Sequence, residues 1–77
     1  MSMKATTFNH KVLREQREKL SMSREDLVVK LAELDLRVSS STIIRWEDGL
    51  YAPDAGDLPK IAHALELQVS DFYNGKP

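Results

Sequence analysis

The stretch Ser39-Ser40-Ser41-Thr42-Ile43-Ile44-Arg45-Trp46-Glu47-Asp48-Gly49 is closed at both ends, and that limits what the chain can build. A serine at 39 or 40 caps a helix start, and Gly49 suits a left-handed stop. Between them lies a short helix whose inward side is Ile43, Trp46 and Glu47. A helix this short is not stable alone in water and must lay its apolar side on neighbours. A second capped start stands in front of it. Ser23-Arg24-Glu25-Asp26-Leu27 places a serine three residues before a carboxylate, the pattern of a capping box.

Helical spacing recurs along the rest of the chain, and strand signals are nearly absent. A first segment runs from about Asn9 to Leu20, with Leu13, Arg17 and Leu20 on one side and Val12 beside them. A second runs from about Arg24 to Leu34, with Leu27, Leu31 and Leu34 as its stripe, widened by Val28. The third is the serine-capped helix, and Pro53 breaks the chain after it. A fourth runs from about Leu58 to Leu65, where Asp57 can cap and Pro59 is acceptable only in a first turn. A fifth short helix is expected over about Val69 to Tyr73. The expected architecture is a compact all-α domain of five helices over 9–73. Residues 1–8 read as a flexible N-terminal extension and 74–77 as a C-terminal tail.

The chain has 77 residues, enough for one domain, and one this small buries only roughly 60% of its unfolded surface. The absence of cysteine excludes disulfides and thiolate metal sites. No apolar run approaches a membrane span, and Met1 to Thr7 lacks the apolar core of a signal peptide. A cytoplasmic location is therefore expected. His10 and His63 lie on different segments with no partner at metal-ligand spacing, so no metal or other cofactor is expected. The serine run has no neighbouring base, which favours capping over nucleophilic catalysis. The chain reads as a non-enzyme.

The net charge of −1 does not favour a nucleic-acid binder, since phosphate neutralisation supplies much of the affinity. The distribution is uneven, however. Residues 1–20 carry five basic and two acidic side chains, while residues 21–48 carry four and six. Total charge says little about a single face. Amphipathic helices of this kind could equally form a bundle with no ligand.

The ordered set of motifs resembles a known family. Leu13-Arg14-Glu15-Gln16-Arg17 is followed by Ser23-Arg24-Glu25-Asp26-Leu27 and the serine-capped helix with its Arg45-Trp46-Glu47 end and Gly49. Pro53 and Leu58-Pro59-Lys60-Ile61-Ala62-His63-Ala64-Leu65 complete the series. Together they are similar to the Cro and phage-repressor (XRE-type) helix-turn-helix family, over roughly Leu13 to Tyr73. The resemblance implies a lambda-repressor-like fold that binds double-stranded DNA, most often as a repressor and homodimer on a palindromic operator. Its third helix would lie in the major groove. It assigns Ser40, Ser41, Thr42 and Arg45 to base-facing positions and Arg24 to a phosphate. Arginine suits the two acceptors of guanine, and hydroxyls can donate or accept at several bases. It also pairs Arg17 with Glu47, because a buried arginine needs a partner.

The chain departs from the family pattern in two places. Ala32 to Val38 is longer by about five residues than the family's tight turn and contains no glycine. Either the second helix gains a turn, or Leu36 and Val38 tuck in a loop and Arg37 moves towards a phosphate. After Gly49, Leu50, Tyr51 and Ala52 stand where relatives carry basic residues. With Ile44 they could form an apolar surface, so an antitoxin or other interaction protein, with a toxin or co-regulator as partner, is the alternative. Leu67, Val69, Phe72 and Tyr73 are the candidate dimer surface; ordinary core is the alternative for all four and the favoured reading for Val69 and Phe72.

Overall fold

A computed structural model describes residues 7–73. The described chain forms four α-helices: α1 (His10–Lys19), α2 (Arg24–Glu33), α3 (Ser40–Glu47) and α4 (Leu58–Ala64). Two 3-10 turns, Ala55–Asp57 and Val69–Phe72, complete it. The described residues contain no strand. The fifth helix expected over Val69 to Tyr73 is the second of these turns. Its bonds run from Asp71 N–H to the Gln68 carbonyl and from Tyr73 N–H to the Ser70 carbonyl. Four residues are too few to establish the wider α-helical ladder, so the tighter turn forms.

Side-chain caps start three of the helices. Asn9 accepts from the Lys11 N–H at 3.1 Å. Ser23 Oγ accepts from the Asp26 N–H at 3.0 Å, and the Asp26 carboxylate accepts from the Ser23 N–H at 2.9 Å. These two bonds complete the capping box, and the Ser23 N–H, with the Ser23 hydroxyl beside it, holds the Asp26 carboxyl below the usual aspartate range. On α3 the cap is Ser39, which accepts from the Thr42 N–H at 3.2 Å. Asp57 does not cap α4. The preceding 3-10 turn leaves Asp57 in helical conformation, and a side chain there cannot fold back over the first turn.

All four helices stop in the same way. After each, one residue takes a left-handed conformation: Ser21, Asp35, Gly49 and Glu66, with φ of 56°, 68°, 79° and 61°. The next N–H returns five residues: Met22 to Arg17, Leu36 to Leu31, Leu50 to Arg45 and Leu67 to Ala62. This is the Schellman motif, and only α3 uses glycine for it. The connection after α2 is therefore a loop and not an added turn. Asp35 does the work of the missing glycine, since a short polar side chain tolerates the left-handed region. Leu36 and Val38 then pack against the core.

One core unites the four α-helices and the second 3-10 turn. Leu13, Leu27, Leu31, Ile43, Trp46, Leu58, Ile61, Ala62, Ala64, Leu65 and Phe72 are buried. Phe72 has no accessible surface, so it belongs to this core and cannot stand on a dimer surface. Packing begins before α1. The Phe8 ring lies 5.3 Å from that of Phe72, and the Asn9 N–H donates to the Phe72 carbonyl at 2.7 Å. The remainder of the expected extension, residues 1–6, and the expected tail, 74–77, lie outside the described residues. Among the described residues no helix is long and apolar enough to cross a membrane.

Candidate nucleic-acid interface

Helix α3 is fastened through its last turn. Glu47 is buried, and its carboxylate accepts from two arginines on two other helices. Arg17 of α1 donates through Nε to Oε2 at 2.7 Å and through Nη2 to Oε1 at 3.2 Å. Its Nη1 donates to the Met22 carbonyl at 2.8 Å. Arg24 of α2 donates through Nε to Oε1 at 3.0 Å, and its Nη2 lies 3.0 Å from the same oxygen as an ion pair. The geometry thus contains the Arg17–Glu47 pair that the resemblance implied and adds a second arginine to it. Among the described residues no buried side-chain nitrogen or oxygen lacks a partner. A charge network in the interior is tolerated on that condition.

The same helix end has a further clamp. His10 Nδ1 lies 2.8 Å from the Glu47 carbonyl, which can only accept, so Nδ1 carries the proton. The His10 ring covers Gly49, where a Cβ would meet ring atoms at 3.0 Å. Gly49 is needed twice, for its positive φ and for the room it leaves. At the other end of the core, Gln16 Nε2 donates to the Leu65 carbonyl at 2.9 Å and covers the last turn of α4.

The outer side of α3 is open. Ser41 and Arg45 are exposed one turn apart, with Ile44 beside them. The described ion pairs join Arg14 to Glu18, Arg17 to Glu47 and Arg24 to Glu47, and none uses Arg45. Ser40 is half-buried and donates to Glu25 Oε2 of α2 at 3.2 Å. Thr42 Oγ1 lies 3.2 Å from the capping Ser39 Oγ. Ser40, Ser41, Thr42 and Arg45 therefore share the N-terminal and outer part of one helix, but two of the four already have partners.

The two expected phosphate ligands differ. Arg24 directs two donors inward at Glu47, yet 34% of its side chain remains accessible. Arg37 is exposed on the extended run between α2 and α3. Leu67, Val69 and Tyr73 are half-buried around Phe72. No group of three potential metal ligands occurs among the described residues.

Sequence reading missed His10, Glu25 and the second arginine on Glu47. The partners of these side chains lie 15 to 37 residues away along the chain. No local pattern marks such a residue, because what it bonds is decided by packing.

Comparison with family models gives a match to the helix-turn-helix model over residues 13–72. Comparison with the curated proteins and with the solved structures gives no match.

Proposed function

The chain belongs to the Cro and phage-repressor (XRE-type) helix-turn-helix family, a DNA-binding regulatory family, and from that membership we propose a cytoplasmic repressor that binds a palindromic operator as a homodimer. In this reading α3 enters the major groove and 9–73 is the DNA-binding unit, with 1–8 and 74–77 as extensions. The observation that carries it is the division of α3. One side is bonded into the core at Glu47, while Ser41 and Arg45 face outward and Arg45 has no ion-pair partner among the described residues. A rigid helix with unspent donors on its outer side suits base-edge recognition.

Arg45 takes a guanine through its two major-groove acceptors, and Ser40, Ser41 and Thr42 read neighbouring bases. Arg24 and Arg37 bind phosphates and set the register of the helix. Few such contacts per protomer favour a dimer. Two per protomer make about four in a dimer, so affinity falls by roughly 10² between 50 and 200 mM salt. Leu67, Val69 and Tyr73 form the two-fold contact over the Phe72 core position, and half-sites lie about one helical turn apart.

A second reading rests on a different observation. Leu50, Tyr51 and Ile44 are 69%, 49% and 38% exposed at the end of α3 and just beyond it. An apolar surface there favours an antitoxin or interaction module whose main contact is another protein. Selection of bound sequences from random duplex DNA separates the two. Enrichment of a palindrome, with binding that falls steeply as salt rises, supports the repressor. Absence of any enriched sequence removes it.

A further inference from the structure

Glu25 lies in the first turn of α2 and Ser40 opens α3, so their bond joins the two helix ends that the DNA-binding reading turns towards the duplex. Ser40 Oγ is 3.2 Å from Glu25 Oε2. A serine hydroxyl has one hydrogen and two lone pairs, and an ionised carboxylate has acceptors only. The hydrogen of Ser40 is spent on Glu25, so the pair shows lone pairs and no donor. Both side chains retain accessible surface.

The base edges of the major groove divide on the same property. Guanine presents N7 and O6 and thymine presents O4, all acceptors, while adenine N6 and cytosine N4 carry amine hydrogens. An acceptor-only pair gains a bond from an amine and leaves lone pair against lone pair at O6 or O4. Arg45 has the opposite character, since a guanidinium only donates. Helix α3 thus carries a donor element at Arg45 and an acceptor element at Ser40.

We propose that Glu25 is a specificity-determining residue: by holding the hydroxyl proton of Ser40, it makes this corner select the exocyclic amine of adenine or cytosine and reject guanine and thymine. The proposal rests on the DNA-binding reading above. The carboxylate also repels phosphates of every sequence, so it trades general affinity for discrimination. Glutamine at this position can donate to Ser40 as well as accept from it, and the polarity of the pair is then no longer imposed.

The test selects bound duplexes from random DNA with the wild-type chain and with Glu25→Gln. Affinities for the selected site and its single-base variants are then measured by fluorescence anisotropy. The wild-type half-site is expected to hold one adenine or cytosine whose change to guanine or thymine weakens binding about tenfold. In Glu25→Gln the penalty at that position shrinks below about threefold, overall affinity at low salt rises, and the guanine preference that depends on Arg45 is kept. Ser40→Ala removes the same preference while leaving that of Arg45. An unchanged base profile in Glu25→Gln overturns the proposal and leaves DNA binding standing. Loss of both preferences together also overturns it, because Glu25 then acts through the fold. If neither chain enriches any duplex, the DNA-binding reading fails as well.

Discussion

The inner and outer sides of α3 each carry a charge, one acidic and one basic, and treat them in opposite ways. Glu47 faces inward and is engaged by Arg17, Arg24 and, through its carbonyl, His10. Arg45, two residues earlier, faces outward and takes part in none of the described ion pairs. Both arrangements follow from one rule. A charge removed from water must find its partners inside the molecule, whereas an exposed charge can wait for one from outside. The inner side therefore reports on stability and the outer side on recognition.

Four substitutions break or sharpen that contrast. The largest effect is expected from Arg17→Met, which leaves Glu47 buried with Arg24 as its remaining partner and frees the Met22 carbonyl. A loss of roughly 3–5 kcal/mol, more than about 10 °C in Tm, should appear in thermal unfolding. An unchanged Tm would mean that charge does not hold the inner side. Gly49→Ala forces a side chain into a backbone with φ of 79° and against the His10 ring. Urea unfolding should register a loss of roughly 1–3 kcal/mol, and a neutral result would show that the clamp at the helix end yields easily.

A smaller effect of opposite sign is expected at the end of α4. Glu66 is exposed and left-handed where α3 has glycine. Glu66→Gly relieves that conformation at some entropic cost in the unfolded chain, and a gain of about 0.5–1 kcal/mol is expected in the same assay. A loss instead would mean that the Glu66 side chain has work of its own. Arg45→Ala lies at the bottom of the stability scale, within about 0.5 kcal/mol of wild type. Its effect belongs to recognition: the preference for guanine at one position of the selected site should vanish. Wild-type affinity and preference in that variant would remove Arg45 from the base contacts.

Much of the scaffold is legible in the sequence. The Ser23–Asp26 capping box, the leucine stripe of α2 and the Gly49 stop are local, and each was readable from residues within one or two turns. The stop after α2 was not, because glycine is the usual sign of a left-handed residue and Asp35 takes that conformation without it. Val69 and Phe72 have helical spacing, but the segment is too short for an α-helix and forms a 3-10 turn. Phe72 is open to two readings in the sequence, core or dimer surface, and its complete burial decides for core. Apolar character near the end of a chain is the same whether a core or a second copy will cover it.

The candidate site divides along the same line. The residue types on α3 and the order of motifs around it identify a helix-turn-helix chain, because caps, stops and apolar periodicity act over short distances and leave their mark in consecutive residues. The engagement of Ser40 by Glu25 and the division of Arg24 between Glu47 and solvent were decided only when distant segments met. Hydrogen bonds between helices depend on where packing places their donors and acceptors, and consecutive residues carry no record of that.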